Sequence, residues 1–197
     1  MKSPLRQLKK AQLQLGAEMN KQIDIIYSAA AIVLWRNGYR TLRIMRRFVT
    51  TMEVWDECAE HGTHKSMLQM LEEETGIELR ISGFDKSYHD LDYLDGSHWD
   101  GHLPTVWEQI YMHQQQRKWM APLVLAAFCI SLHRDEHYGP DRIGRFISQI
   151  DQLRQEIGED PDDYAKLLES ETDITHDMIW DGLKKERDRM DRMEAQA

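Results

Sequence analysis

Cysteine is scarce in this chain. The only two residues, Cys58 and Cys129, lie inside apolar helical patterns and make no disulfide framework, so a reducing cytoplasm is the expected setting. Long apolar runs are missing too. The longest, Ile25 to Trp35 and Leu123 to Leu132, fall short of the roughly 20 residues that cross a bilayer. They are expected to be core helices, with no membrane as partner. No apolar segment near Met1 ends in a small-residue cleavage site, which argues against export. The chain also lacks a His-Glu-x-x-His pair, a Gly-x-Ser-x-Gly elbow and a Gly-x-x-x-x-Gly-Lys phosphate loop, and with them the common hydrolase signatures.

What is present reads as globular. With 41% hydrophobic and 30% charged residues among 197, the chain can bury one good-sized core or two small ones. The net charge of −9 is unevenly spread: residues 1–50 carry ten Lys/Arg against Glu18 and Asp24, whereas residues 51–100 carry three against thirteen acids. Such a split points either to an anionic partner for the basic part or to neutralisation of one part by the other. Eleven methionines and six tryptophans suit an interface and favour a homo-oligomer.

The helical signals come in order. Ser3-Pro4 opens a helix with a thin stripe of Leu5, Leu8 and Leu15, and Gly16 is expected to break it. Met19 to Asn37 is apolar on nearly every side, as a central helix would be. Asn37-Gly38 stops it. The helix from about Thr41 to Glu60 places Leu42, Met45, Phe48, Val49, Met52 and Trp55 on the packing face, leaving Arg40, Arg43, Arg46 and Arg47 outward. A short helix then carries Met67, Leu68 and Leu71 to Gly76, and alternating Ile77, Leu79 and Ile81 predict a brief strand. Gly83 to Pro104 is irregular and rich in Asp and His. Beyond it, a helix from Pro104 is expected to break or kink at Pro122, Leu123 to His133 is again buried all round, and Pro140, Pro161 and Thr175 open three more helices.

The two halves echo each other at offsets of 97 to 99 residues. Leu34-Trp35-Arg36 answers Leu132-His133-Arg134, Arg43-Ile44 answers Arg142-Ile143, and Glu74-Thr75-Gly76-Ile77 answers Glu171-Thr172-Asp173-Ile174. The expected fold is therefore all-α: a helical bundle of two pseudo-repeats of about three helices, residues 1–82 and 105–197, joined by the loop 83–104.

Three stretches carry a resemblance: Leu132-His133-Arg134; Tyr138-Gly139 with Arg142-Ile143; and Ser66-Met67-Leu68-Gln69-Met70-Leu71 with Glu72-Glu73-Glu74-Thr75-Gly76-Ile77. In these the chain resembles small uncharacterised proteins of phages and prophages of Gram-positive bacteria. The resemblance implies a phage origin and hence the host cytoplasm; no activity comes with it.

Candidate chemistry centres on arginine. Arg40 and Arg43 stand near a helix N-terminus, a natural seat for phosphate, with Arg46 and Arg47 a turn further on. Tyr39 could stack on a base, and Tyr138, Arg142 and Arg145 form the second copy. The competing reading pairs these arginines with acids of the same chain, Glu72 to Glu74 first. A helix-turn-helix reading sends the helix from Thr41 into a major groove. A metal site would draw on His89, Asp90, Asp92, Asp95, His98, Asp100 and His102, or on Glu53, Asp56, Glu57 and Glu60. The reading adopted is a non-catalytic phage-type accessory protein, of the anti-defence kind, that needs no cofactor and holds a nucleotide-like anion or blocks a host protein. A nucleic-acid-binding regulator and a metal-dependent phosphoesterase are the alternatives.

Overall fold

The computed structural model of the protein describes residues 3–60, 64–79 and 104–194, and all regular structure among them is helical. In chain order the helices are α1 (Pro4–Arg36), α2 (Thr41–Glu60), α3 (His64–Thr75), α4 (Val106–Glu136), α5 (Pro140–Ile157), α6 (Pro161–Glu171) and α7 (His176–Glu194). The expected all-helical bundle is what the chain forms.

The two long apolar helices make its centre. Residues 25–34 of α1 and 119–132 of α4 are buried without interruption, because each is surrounded by other helices on every side. Arg117 of α4 reaches Glu18 of α1 at 3.4 Å, Phe128 meets Tyr27 edge-on, and the Tyr39 hydroxyl, just past the end of α1, donates to Glu136 at the end of α4 at 3.3 Å. The pair therefore runs side by side in one direction. The remaining helices pack crosswise: α2 and α3 lie on α4, whereas α5 and α6 lie on α1. Helix α7 packs on α2, and its Trp180 Nε1 donates to Asp24 of α1 at 2.7 Å.

Matching contacts recur about 98 residues apart. Arg36 forks Glu171 through Nε (2.8 Å) and a terminal nitrogen (2.6 Å), and Arg134 forks Glu74 through the same atoms at 3.1 and 2.6 Å. Thr75 Oγ1 donates to Leu71 O and accepts from Ile77 N. Thr172 does the same with Leu168 and Ile174. A left-handed residue precedes each turn tyrosine, Gly38 (φ 86°) before Tyr39 and His137 (φ 53°) before Tyr138.

Four local expectations are corrected. Gly16 does not break α1: a glycine costs a helix only about 1 kcal/mol, and Leu15, Met19 and Ile23 pack against the core on either side of it. Pro122 lies inside α4 and does not end it, so the break is corrected; packing on both flanks outweighs one lost hydrogen bond. Ile77 and Leu79 form no strand, there being no neighbouring strand among the described residues to pair with; Ile81 lies outside them. On α2 Phe48 is buried and Met45, Met52 and Trp55 pack against the core as expected, but Leu42 is 87% exposed and Arg47 is buried. Leu42 precedes Ile44 by about 200° of helical turn, whereas Arg47 sits beside Phe48 on the inner side.

Candidate functional site

The turns after α1 and α4 bring both tyrosine–arginine clusters to one end of the bundle. Arg43 lies 4.2 Å over the Tyr39 ring and Arg142 lies 3.8 Å over the Tyr138 ring. Both tyrosines are buried and each has an arginine on its ring, so they offer hydroxyl edges here. Arg40 lies over Trp35, and Arg46 is exposed.

The two arginine seats differ in what fills them. Arg43 Nε donates to Glu136 Oε1 at 3.0 Å and its terminal nitrogen donates to Oε2. The Tyr39 hydroxyl adds a third donor at 3.3 Å. Arg47, with only 3% of its side chain exposed, pairs with Asp135 Oδ2, and its Nε lies 3.5 Å from Glu136 Oε1. Beneath it Thr51 Oγ1 donates to Arg47 O and meets Ser131 Oγ at 3.1 Å. The first cluster is thus closed by acids from the end of α4. These acids are not Glu72 to Glu74, of which Glu74 pairs with Arg134.

The second cluster has no such closure. Arg142 and Arg145 are exposed, and neither has a carboxylate at ion-pair distance among the described residues. They border a concavity of about 300 Å3 lined also by Tyr39, Tyr138, Asn37 and Gln149. Asn37 Nδ2 donates to Gln149 Oε1 at 3.2 Å and to Val33 O at 2.8 Å, which holds the floor. The difference traces to the two turns. Arg36 and Tyr39 are separated by Asn37-Gly38, but Arg134 and Tyr138 by Asp135-Glu136-His137, so only the second turn brings acids to the first cluster. At an offset of 99, Asn37 stands where Glu136 stands. Glu136, Asp135, Asn37 and Gln149 escaped the sequence reading, although setting the two turns side by side exposes that extra acidic residue.

The charge pairing has a pH signature. Hydrogen bonds from Arg43 hold the Glu136 carboxyl below its ordinary value of 4.5, against the opposing pull of burial. The folded value lies under the unfolded one, so this stabilisation is complete above the unfolded value and is lost as pH falls through the folded one. Urea midpoints are expected to drop between about pH 6 and pH 3, and to drop less steeply in Glu136→Gln. Parallel declines in the two proteins would refute the assignment.

Glu57 pairs with Arg134 at 2.5 Å, and Glu53 is exposed. The residues from His89 to His102 lie outside the described residues, among which no group of three or more His, Cys, Asp or Glu side chains could hold a metal. No helix among them is long and apolar enough to cross a membrane. Cys58 and Cys129 are unpaired, and burial pushes the Cys58 thiol up to about 11, so it stays an unreactive thiol. The fold and this end of the bundle define an all-helical protein with one filled and one open arginine seat. Comparison with protein-family models, curated proteins and solved structures yields no match.

Proposed function

We propose that this is a non-catalytic binding protein whose Arg142–Arg145 concavity holds the phosphate or carboxylate end of a small nucleotide-like anion, and that its two units are pseudo-repeats. The observation that carries this reading is the pair of seats: Arg43 forks the Glu136 carboxylate, while Arg142, at the matching position on its own tyrosine, faces an open concavity without an acid. A guanidinium donates two parallel hydrogen bonds to either anion, and Glu136 is in effect a built-in example of the ligand. A phage-type accessory role, resting on the resemblance described above, agrees with binding in place of catalysis.

The test is calorimetric titration with inorganic phosphate and with a nucleoside triphosphate. Arg142→Glu/Arg145→Glu is expected to weaken nucleoside triphosphate binding about 100-fold, since it removes two charge-assisted donors and adds repulsion. Unchanged affinity would overturn the reading. Groove reading of duplex DNA by α2 has less support: Arg47 is buried and Arg43 is neutralised, which leaves Arg46 and Arg40 as its exposed cations.

A further inference from the structure

A second cavity lies away from the arginine seats, between α1, α2, α4 and α7. It measures about 210 Å3, and its walls are mostly apolar: Met19 from α1, Met52 and Trp55 from α2, Val124 from α4, Trp180 and Leu183 from α7. One acid and one base, Asp56 and Lys184, also line it, so neither sign of ligand charge is favoured. Its least ordinary member is Tyr27. The ring is 6% exposed, stacked on Phe48 at 4.9 Å and edge-on to Phe128 at 5.9 Å, and so cannot swing away. Its hydroxyl makes no hydrogen bond to a described group. Burial, with the nearby Asp56 charge, raises its pKa, so it remains a protonated donor.

Apolar cavities take apolar guests, and a wall hydroxyl that bonds no described group offers such a guest one donor. A dry cavity of about 150 Å3 holds one benzene ring, so this one has space for somewhat more. Indoles and thioethers around the space favour ring faces and edges over a flexible chain.

We propose that this cleft is a small-molecule site for a neutral, flat aromatic compound of one or two fused rings bearing one hydrogen-bond acceptor, which the Tyr27 hydroxyl receives. The site is independent of the anion seat. Binding places the guest between Trp55 and Trp180, and so couples occupancy to the seating of α7 on α2.

Quinoline and naphthalene test it, because they share a shape and differ by one ring acceptor. Titrated into the full chain with tryptophan fluorescence as the readout, quinoline is expected to give a saturable change. Filling the cleft with Val124→Phe, or at its edge with Leu183→Phe should the first variant lose its circular dichroism, is expected to abolish that change. The same filled variant is expected to keep its phosphate titration. Tyr27→Phe is expected to lower the quinoline affinity about fivefold and leave naphthalene nearly unaffected, the loss being that of one hydrogen bond. No saturable binding of quinoline, or binding that survives in a folded filled variant, would overturn the site. Equal losses for the two compounds in Tyr27→Phe would overturn the role of the hydroxyl.

Discussion

Arg47→Ala is expected to destabilise the protein by roughly 3–5 kcal/mol, the range found when one partner of a buried ion pair is removed. The guanidinium is almost fully enclosed, and the Glu136 side chain beside it is only 8% exposed. Deleting the cation leaves that carboxylate dependent on Arg43 and the Tyr39 hydroxyl and leaves Asp135 without its partner. A cavity under Phe48 adds to the cost. At an offset of 99 residues, Phe146 stands at the place of Arg47 and Ile150 at that of Thr51; Phe146 stacks on Phe128 at 5.7 Å. Arg47→Phe with Thr51→Ile, Ser131→Val, Asp135→Asn and Glu136→Asn is therefore expected to recover most of the loss, because replacing a whole buried ion pair by well-packed uncharged groups is often neutral or stabilising. Urea unfolding of the two variants decides it. A single alanine variant as stable as the parent would mean that the pair contributes nothing.

Asn37→Glu is expected to close the open seat. The position corresponds to Glu136 in the first cluster, and its backbone (φ −84°, ψ 11°) accepts any L residue. A carboxylate there would fork Arg142 as Glu136 forks Arg43, and anion affinity in the concavity is expected to fall at least about tenfold, the worth of one displaced charge-assisted contact. The same variant is expected to gain no more than about 1 kcal/mol of stability, since the new pair is exposed, and to lose that gain on acidification. Asn37→Gln, which adds length without charge, separates occupancy from crowding. If both variants bound nucleoside triphosphate like the parent, the seat would lie elsewhere.

Much of the fold was legible in the sequence because its signals are local. Pro4, Pro140 and Pro161 each occupy the first turn of a helix, where their missing N–H costs nothing. Gly38 adopts the left-handed conformation that an α1 ending required. The reading failed where a local signal met a larger non-local one. Gly16 and Pro122 weaken a helix by a few kcal/mol at most, and the packing of α1 on α4 overrode both. The placing of Leu42 and Arg47 on α2 failed for a related reason: counting apolar residues put Leu42 inside, but the facing end of α4 carried acids that drew Arg47 in.

The sequence alone determined an all-helical chain, with tyrosine–arginine pairs after two glycine-bearing bends, since propensity, capping and periodicity act within a few residues. Only the tertiary structure decided which guanidiniums remain open. That depends on Asp135 and Glu136 meeting helix α2 some 90 residues earlier in the chain, and electrostatic pairing follows distance in space, over a few ångströms, with no trace in local spacing.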